Sequence, residues 1–537
     1  MIFSIDKNNP LEVYEASLSK KKKKSTRSRS AHANSVADGL LSKNGEPDAL
    51  GNYETEQLIN AFTRITDLLR KCWGVAGANI ITSNLSGTTG HIINPLVPGK
   101  CVHALFAFAA IKKFDHCLQN LGQDIMVLIN DIAKVLHGEV NRWGFGDSGQ
   151  CNKNLGAMFL IVFSIGEDRE VQDRLEKAQN VVFSHDRSNR RPSTATVAAI
   201  ESKHPDDNKV VKSDLPLASL PGIANFADRA LIGMLKTYAG IHRDREILRW
   251  TEDMRLGYGV GVFCVDMIFG MDAGWAVEGA VGSSYKIDAT YLSPHVNMAS
   301  RMMSACKQYG VTILVSEAVE SILSNEAKSK LRHLDTITVK GSIKVQRIYT
   351  YDVRHKGVNF FLFEQSGTSA YRIIVWLKSV CFLMYRAISY PFFSDELLNA
   401  TAEKKKTADL WTEDQDLLGM RQHISEEFVA LFNRGRDEYI AGSWKDAICT
   451  LKKANHTMIR HVIDGGYLEY DIANALSDDS ALEKALENDD DSDDDEEIAR
   501  LKKEMGDGAC NTLISYMEKR KGVPPERWDG WRPLMSK

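Results

Sequence analysis

Apolar and polar positions alternate along the middle of the chain in patterns that predict strands and helices in turn. The stretches Cys101–Ala110 and Met158–Ile165 are almost continuously apolar, which is typical of buried strands. Between them, apolar side chains from Ile125 to Val140 recur with the period of a helix, so an amphipathic helix of several turns is expected there. A polar stretch with three glycines, Trp143–Asn152, then predicts a loop. The predicted order is therefore strand, helix, loop, strand.

A separate apolar stripe precedes this region, between Glu54 and Trp73. Its members follow one another at spacings of four and three residues and are Leu58, Phe62, Ile65, Leu69 and Cys72. This spacing predicts a lead helix within residues 54–100 that either forms a coiled-coil seam with a second helix or packs on its own domain. Both interpretations stay open on the sequence alone.

Composition separates the segments outside these elements. Residues 1–50 are rich in Lys and Ser without a sustained period, which predicts a disordered basic linker. Residues 167–216 are polar and irregular, so a surface insertion is expected there. The segment 356–425 is interpreted as a linker with one buried or interface helix. Its most apolar stretch, Tyr371–Phe393, is interrupted by three basic residues and predicts no membrane span.

Three further segments follow towards the C-terminal end. Residues 426–480 have a helix-turn-helix spacing that looks like one tetratricopeptide unit. A single unit cannot bury both of its faces, so it is expected to pack on the preceding domain or on a partner. Residues 487–498 form an acidic tract, which predicts a disordered tether. Residues 499–537 regain aromatic side chains and are predicted to form an ordered helical segment.

Composition also narrows the class of protein. The chain has 537 residues, of which 43% are hydrophobic and 26% are charged, and this is typical of a globular protein with several domains. A net charge of −4 gives no general attraction to nucleic acid. Nine cysteines are scattered singly, so neither a disulfide framework nor a zinc site is predicted and a reducing compartment is expected. Because no signal-peptide pattern is present, a cytoplasmic protein is expected.

The strongest candidate for chemistry lies between Gly279 and Arg301. An apolar strand ends in a glycine-containing turn, and a helix is predicted to begin at Ser293–Pro294. That helix carries Asn297 and Arg301, and their spacing of four residues puts both side chains on one helix face. An amide beside a guanidinium suits an anionic substrate, because the planar guanidinium matches phosphate oxygens and keeps its charge. Such a spacing is common by chance, so the surrounding sequence decides its meaning.

The surroundings of this pair resemble the second half of a class III nucleotidyl cyclase domain. The resemblance runs through Phe269–Ser316 and returns in Thr338–Gly341 and Arg347–Tyr351, in the family's order and spacing. Together with the preceding strand, helix, loop and strand, it covers residues 101–355. It implies an α+β fold, with a ferredoxin-like βαββαβ domain that carries the polar insertion and is followed by a mostly α-helical region. It also implies conversion of ATP or GTP to a cyclic nucleotide, by a domain whose lead helix often pairs across a dimer.

The resemblance assigns roles to individual residues. Asn297 would hold the ribose, and Arg301 would stabilise negative charge on the α-phosphate while the ring closes. Lys153 occupies the position at which adenylyl cyclases place a Lys that recognises the base. The companion of this Lys would be Thr290, or Asp288 if the loop carries two extra residues.

The metal-binding part of the family's site is missing from this sequence. Cyclases of this type usually hold Mg²⁺ or Mn²⁺ with two Asp residues, and those positions correspond here to Ala110 and Ala157. A methyl group ligates no metal, because these hard cations bind oxygen. Asp115 and Asp147 are the nearby alternatives. Lys340 is the candidate cation for the terminal phosphates.

Two functions are consistent with this combination. The first is the half of an adenylyl cyclase that contacts the substrate base and the transition state and turns ATP into cyclic AMP and pyrophosphate. It would need a second cyclase domain, in a hetero- or homodimer, to provide the metal carboxylates. Mg²⁺ or Mn²⁺ would come with that partner, and otherwise no cofactor is expected. The alternative is an inactive pseudo-cyclase that acts as a scaffold or nucleotide-sensing subunit of a larger assembly. With either function, the expected cytoplasmic location is compatible with association with a membrane-bound or a cytoskeletal or ciliary assembly.

Overall fold

The chain divides into two compact units, residues 1–65 and residues 66–537. In the first unit, residues 56–65 form helix α1, on which Leu58, Phe62 and Ile65 are more than half exposed. Pairing of this helix with a second one stays a prediction. The computed structural model describes residues 56–65, 68, 77, 98–144, 148–187, 215–257, 263–283, 286–339, 344–355, 358, 360, 407–465 and 505–534.

Within the described residues, the second unit contains one mixed sheet of nine strands with helices on both faces. The strands are β1 (Lys100–Ile111), β2 (Gly149–Leu155), β3 (Met158–Glu167), β4 (Met267–Gly282), β5 (Ile287–Leu292), β6 (Ile313–Ser316), β7 (Leu331–Val339), β8 (Gln346–Tyr351) and β9 (Arg532–Leu534). The helices are α2 (Phe114–Leu121), α3 (Ile125–Trp143), α4 (Asp168–Arg187), α5 (Ile223–Ile241), α6 (Arg245–Leu248), α7 (Pro294–Tyr309), α8 (Glu317–Ile322), α9 (Asn325–Lys330), α10 (Thr407–Glu413), α11 (Gln415–Arg421), α12 (Glu426–Ile440), α13 (Trp444–Asp464) and α14 (Gly508–Glu518).

The first four strands establish the topology. They have the order β2-β3-β1-β4, and each neighbouring pair is antiparallel. Helices α2 and α3 connect β1 to β2, and helices α4 and α5 connect β3 to β4. This is the ferredoxin-like βαββαβ arrangement, so the predicted α+β fold is confirmed. Beyond β4 the sheet continues as β6-β8-β7-β9, while β5 folds back on β4 as a hairpin.

Strand β1 shows why helices cover both faces of the sheet. Its alternate side chains enter two separate apolar clusters, because successive residues of a strand point to opposite sides. Leu105 and Ala107 lie in the cluster that contains α3 and α5, and we call this side the α3 face. Phe108 and Ala110 lie in the cluster that contains α7, and we call this side the α7 face. A strand buried on both sides reads as a continuous apolar run, which is how β1 appears in the sequence.

The C-terminal region belongs to the same folded unit. Helices α12 and α13 form a helical hairpin, α14 packs against α13 and α7, and β9 pairs in parallel with β7. Phe428, Trp444 and Leu513 of these helices are fully buried in the α7-face cluster. The hairpin therefore buries its apolar side on the cyclase-like sheet, while its likeness to a tetratricopeptide unit stays a prediction.

The structure adds two elements within the expected segments. The insertion expected over residues 167–216 begins with the regular helix α4, because Val171 and Leu175, one turn apart, are buried against the sheet. Two apolar residues among many charged ones were too weak a periodic signal to predict that helix. The C-terminal segment 499–537, predicted to be helical, also contributes strand β9.

Four predicted segments lie outside the described residues. They are the linker 1–50, the apolar stretch Tyr371–Phe393, the acidic tract 487–498 and residues 188–214 of the expected insertion. The linker predicted over 356–425 contains α10 and α11 in its described part. Across the described part of the chain, no helix has both the length and the apolar character that a bilayer crossing requires.

Candidate functional site

Helix α7 carries the central residues of the site, and its ends are set by the sequence. The Ser293 hydroxyl accepts a hydrogen bond from the backbone N–H of His295 at 2.9 Å, and Pro294 occupies the first helical turn. At the other end Gly310 adopts the left-handed conformation that ends many helices. The helix predicted to begin at Ser293–Pro294 is therefore present where the sequence indicates it.

The packing of α7 decides which of its side chains stay available. Ala299 and Met303 are buried against β4, and the fit is so close that a Cβ on Gly270 would lie 1.9 Å from the backbone N of Met303. Asn297 is exposed and Arg301 is half-buried. Among the described residues, neither of these two side chains has a hydrogen-bond or ion-pair partner. The Arg301 guanidinium and the Asn297 amide thus share one helix face, and neither forms a hydrogen bond or an ion pair within the described structure.

Lys153 lies on the same side of the sheet as α7. It pairs with Leu160 across β2 and β3, and directly paired residues point to the same face. Leu160 belongs to the α7-face cluster, which places Lys153 on that face as well. Its side chain is half-buried and has no polar partner within the described ranges. Strand β2 stands two positions from β1, or about 10 Å at the usual strand spacing.

An amide next to Lys153 was not predicted from the sequence. Asn152 is 9% exposed and sits where the register of β2 and β3 shifts between Cys151 and Lys153. Neither its side-chain N nor its side-chain O has a hydrogen-bond partner among the described residues. Buried amides are normally paired, so Asn152 is an exception among the described residues. A polar residue within the predicted loop gave no signal of burial.

The two positions expected to hold metal lie side by side. Ala110 pairs with Met158 at the end of β1, and the backbone N–H of Ile111 donates to the carbonyl O of Ala157 at 3.0 Å. Ala110 is buried on the α7 face. The residues present do not fit a divalent cation, because both side chains are methyl groups. Asp115, one suggested substitute, is exposed in the first turn of α2, and the other, Asp147, lies outside the described residues.

The remaining predicted substrate contacts are placed differently. Ala289 and Tyr291 of β5 pack on the α7-face cluster, so the alternating Asp288 and Thr290 point to the opposite side of that strand. Asp288 is exposed and lies 3.4 Å from the Lys286 ammonium. Thr290 is half-buried. The structure therefore brings Lys153 and α7 to one face and does not bring these two residues there. Lys340 is outside the described residues.

A buried polar network fixes the start of α7. The Asp272 carboxylate, 2% exposed on β4, lies 2.9 Å from Nδ1 of His295 and accepts a hydrogen bond from the Ser316 hydroxyl. The His295 ring occupies the space in front of Gly274, where a Cβ would meet it at 2.4 Å. These residues hold the first turn of α7, and with it Asn297, against β4. An Asp within an apolar strand was the available signal, but the sequence does not reveal its partners.

The sequence is similar to known cyclase domains over part of its length. Residues 100–355 match the family model described as "Adenylate and Guanylate cyclase catalytic domain", and residues 2–86 match the one described as "RasGEFs all helical domain". An adenylate cyclase of Anabaena cylindrica is 32% identical over 119 residues, which are 22% of this chain and 23% of that protein. Adenylate cyclase 1 of Rhizobium meliloti (strain 1021) is 36% identical over 102 residues, or 19% of this chain and 15% of that protein. The chain thus spans less than a quarter of the length of these curated relatives.

Solved structures show similarity at lower identity. A bacterial light-regulated adenylyl cyclase is 15% identical with a TM-score of 0.35, over 57% of this chain and 66% of that one. The adenylyl cyclase CyaB from P. aeruginosa is 17% identical with a TM-score of 0.30, over 47% of this chain and 95% of that one. The fold assignment rests on the strand order described above.

Proposed function

Since residues 100–355 belong to the adenylate and guanylate cyclase catalytic-domain family, we propose that this chain is the substrate-contacting half of an adenylyl cyclase. The observation that carries the proposal is a contrast within the α7 side of the sheet. Asn297 and Arg301 offer polar groups that have no partner among the described residues. Ala110 and Ala157, at the family's metal positions, offer only methyl groups. The chain thus offers side chains for the ribose and the α-phosphate, but these two positions offer no ligand for a metal ion.

The proposed reaction closes a ring on ATP. The ribose 3′-oxygen attacks the α-phosphorus, the bond from that phosphorus to the bridging oxygen breaks, and pyrophosphate leaves while the 3′-hydroxyl proton passes to solvent. Negative charge grows on the α-phosphate oxygens, and a guanidinium already placed there stabilises the transition state more than the bound substrate. Arg301 takes this role. Asn297, one turn earlier on the same face, holds the ribose so that its 3′-oxygen is in line.

Base recognition falls to β2 in this proposal. The Lys153 ammonium donates and the neighbouring Asn152 amide both donates and accepts, which suits the mixed hydrogen-bonding edge of adenine. The companion predicted for Lys153 stays open between Thr290 and Asp288, because both point away from the α7-face cluster. The relatives named above are adenylate cyclases, which agrees with ATP as the substrate. Lys340 remains the proposed contact for the terminal phosphates.

A second cyclase domain has to complete the site. Mg²⁺ or Mn²⁺ bound by carboxylates neutralises charge on the phosphates when it is present, and Ala110 and Ala157 cannot hold it. We therefore assign the metal to a partner domain, in a heterodimer or in a dimer with a similar chain that keeps both Asp residues. The chain by itself is expected to be inactive.

A pseudo-cyclase scaffold is the second candidate. The observation in its favour is the continuity between the sheet and the C-terminal region, in which α14 packs on α7 and β9 extends the sheet beyond β7. A module built in this way could transmit nucleotide binding at α7 to the C-terminal helices without turnover. It would bind ATP through the same residues and would never form cyclic AMP.

Restoring the carboxylates separates the two candidates. The variant with both Ala110→Asp and Ala157→Asp is expected to gain Mn²⁺-dependent cyclic AMP formation about 100-fold or more above the wild type, because metal ions contribute several kcal/mol to such reactions. Each single substitution serves as a matched control and should stay near the wild-type rate. Circular dichroism and sedimentation establish that the variant is folded and dimeric. A folded, dimeric double variant that binds Mn²⁺ yet forms no cyclic AMP would favour the scaffold.

A further inference from the structure

Three segments far apart in sequence meet on the α3 face, away from the site just described. His242 follows the last turn of α5, Cys264 lies just before β4, and His355 follows β8. The neighbouring Tyr238 belongs to the α3-face cluster, whereas Ala110 belongs to the α7 face. The group is therefore separated from Arg301 and Lys153 by the sheet itself.

The potential ligand atoms of these three residues lie close together. One atom from each residue can be chosen so that all lie within 4.8 Å of one another. The distance from Nδ1 of His242 to Sγ of Cys264 is 3.5 Å. Zinc bonds of about 2.0–2.1 Å to nitrogen and about 2.3 Å to sulfur, at a tetrahedral angle, separate the two donor atoms by about 3.5 Å. The two atoms, which share a hydrogen bond in the structure, therefore lie at the spacing of one edge of a tetrahedral site.

Polar groups lie behind both imidazoles. Nδ1 of His355 lies 2.7 Å from the Tyr238 hydroxyl, so Nε2 is the nitrogen of that ring on the side away from Tyr238. Nε2 of His242 lies 3.9 Å from the Asp266 carboxylate, which Lys112 holds at 2.7 Å. Ligating histidines usually donate from their second nitrogen to an outer acceptor such as a carboxylate. The Tyr238 hydroxyl already contacts its imidazole, whereas the Asp266 carboxylate lies near His242 but beyond hydrogen-bond distance.

One polar atom of the group lacks a partner in the described structure. The Nε2 atom of His242 is buried and makes no hydrogen bond among the described residues. A neutral imidazole is the form that binds metal, and loading of Nδ1 would turn Nε2 into an N–H directed at Asp266.

We propose that His242, Cys264 and His355 form a zinc site in this protein. The ion is bound by Nδ1, Sγ and Nε2 respectively, with a water in the fourth position. The Cys264 thiol releases its proton to solvent when the ion binds. The two imidazole rings are stacked, with centroids 4.1 Å apart, so one ring turns about its Cβ–Cγ bond to converge on the ion. A nitrogen and sulfur donor set favours zinc over Mg²⁺ or Ca²⁺, which prefer oxygen.

Such a site has a structural consequence. It joins the end of α5, the start of β4 and the segment after β8, which no disulfide connects in the described chain. The expectation of no zinc site came from the absence of closely spaced ligands in the sequence. Here the ligands are 22 and 91 residues apart, by 264 − 242 and 355 − 264, so only the fold brings them together.

The test uses the full chain, stripped of metal with a chelator and titrated with Co²⁺. The expected result is one Co²⁺ bound per chain, with a thiolate-to-cobalt charge-transfer band that one equivalent of Zn²⁺ removes. Cys264→Ser should lose this band, while Cys449→Ser, at an exposed cysteine, should keep it. Tyr238→Phe, which leaves all three ligands in place, should weaken Co²⁺ binding about 10-fold or more.

Failure of the proposal would be equally visible. If the folded wild-type chain takes up no Co²⁺, or if the charge-transfer band persists in Cys264→Ser, the group is a hydrogen-bonded imidazole stack and not a metal site. Mass spectrometry of the metal content of the untreated protein gives a second readout. A zinc content near zero in protein expressed with added Zn²⁺ would also overturn the proposal. None of these measurements depends on cyclase activity.

Discussion

Arg301→Ala, introduced into the chain that also carries Ala110→Asp and Ala157→Asp, is expected to lower cyclic AMP formation about 10²–10³-fold. The guanidinium of Arg301 is proposed to meet charge that exists only in the transition state, so the loss should appear in kcat and much less in KM. Arg301 has no hydrogen-bond or ion-pair partner among the described residues, and its removal should leave the fold intact. Enzyme kinetics with ATP and Mn²⁺, alongside a thermal unfolding curve, measure both effects.

Two controls make this result specific. Arg301→Lys keeps the positive charge but loses the planar group, so it should recover only part of the rate. Arg434→Ala removes another Arg, one on α12 whose side chain is 73% exposed and paired with Glu438, and it should leave the rate unchanged. An undiminished kcat in the Arg301→Ala background would contradict the role assigned to this residue.

Arg332→Met is expected to reduce the free energy of unfolding by about 3–5 kcal/mol, because it leaves two carboxylates buried without their cation. The Arg332 guanidinium is 1% exposed, donates to Asp352 at 3.0 Å and to Asp507 at 2.7 Å, and lies 4.3 Å from the ring centroid of Phe432. It thereby ties β7 to the segment after β8 and to the start of α14. Chemical denaturation measures the loss.

The contact between Arg332 and Asp507 also predicts how the stability changes with pH. Burial alone would raise the pKa of Asp507, but the Arg332 guanidinium holds it below its ordinary value. A carboxyl with a lowered folded-state pKa stabilises the protein above its unfolded pKa of about 4 and loses that contribution as the pH falls through the folded value. Arg332→Met should therefore destabilise most near neutral pH, and its difference from wild type should shrink below about pH 4.

A matched surface pair provides the comparison for Arg332. Arg347 pairs with Glu317 at 2.6 Å, but its side chain is 51% exposed. Arg347→Met should cost less than about 1 kcal/mol, because solvent screens an exposed ion pair. Equal losses for the two substitutions would show that the buried network around Arg332 has no special part in docking the C-terminal region.

The periodic elements were the predictable part of the fold. Strand β1 was expected over Cys101–Ala110 and spans Lys100–Ile111, and α3 begins at Ile125 as predicted. Both elements have long apolar patterns, so the local sequence was sufficient to predict that they are buried. Helix α4 was missed because only Val171 and Leu175 of its first turns face the core. Strand β9 has three residues, and its pairing with β7 is a long-range contact that no local pattern encodes.

The candidate site likewise has one part that the sequence could predict and another part that it could not. Asn297 and Arg301 were predictable as neighbours, because four residues of one helix determine their common face. The placement of Lys153 on that face depended on its register with Leu160, which only the sheet reveals. The burial of the Asn152 amide, the contact between His295 and Asp272, and the approach of His242 to Cys264 are tertiary arrangements. Sequence spacing carries no information about them.

The central claim is that this chain holds one half of a cyclase site. Mixing the wild type with a variant that has the opposite set of residues tests this claim most directly. The wild type keeps Arg301 and lacks the carboxylates, whereas the chain with Ala110→Asp, Ala157→Asp and Arg301→Ala has the carboxylates and lacks the Arg. Each protein alone, given ATP and Mn²⁺, should form no cyclic AMP. Their mixture should form it, with a maximum near equal amounts of the two chains. Cyclic AMP from the wild type alone, or a mixed dimer without activity, would contradict the claim.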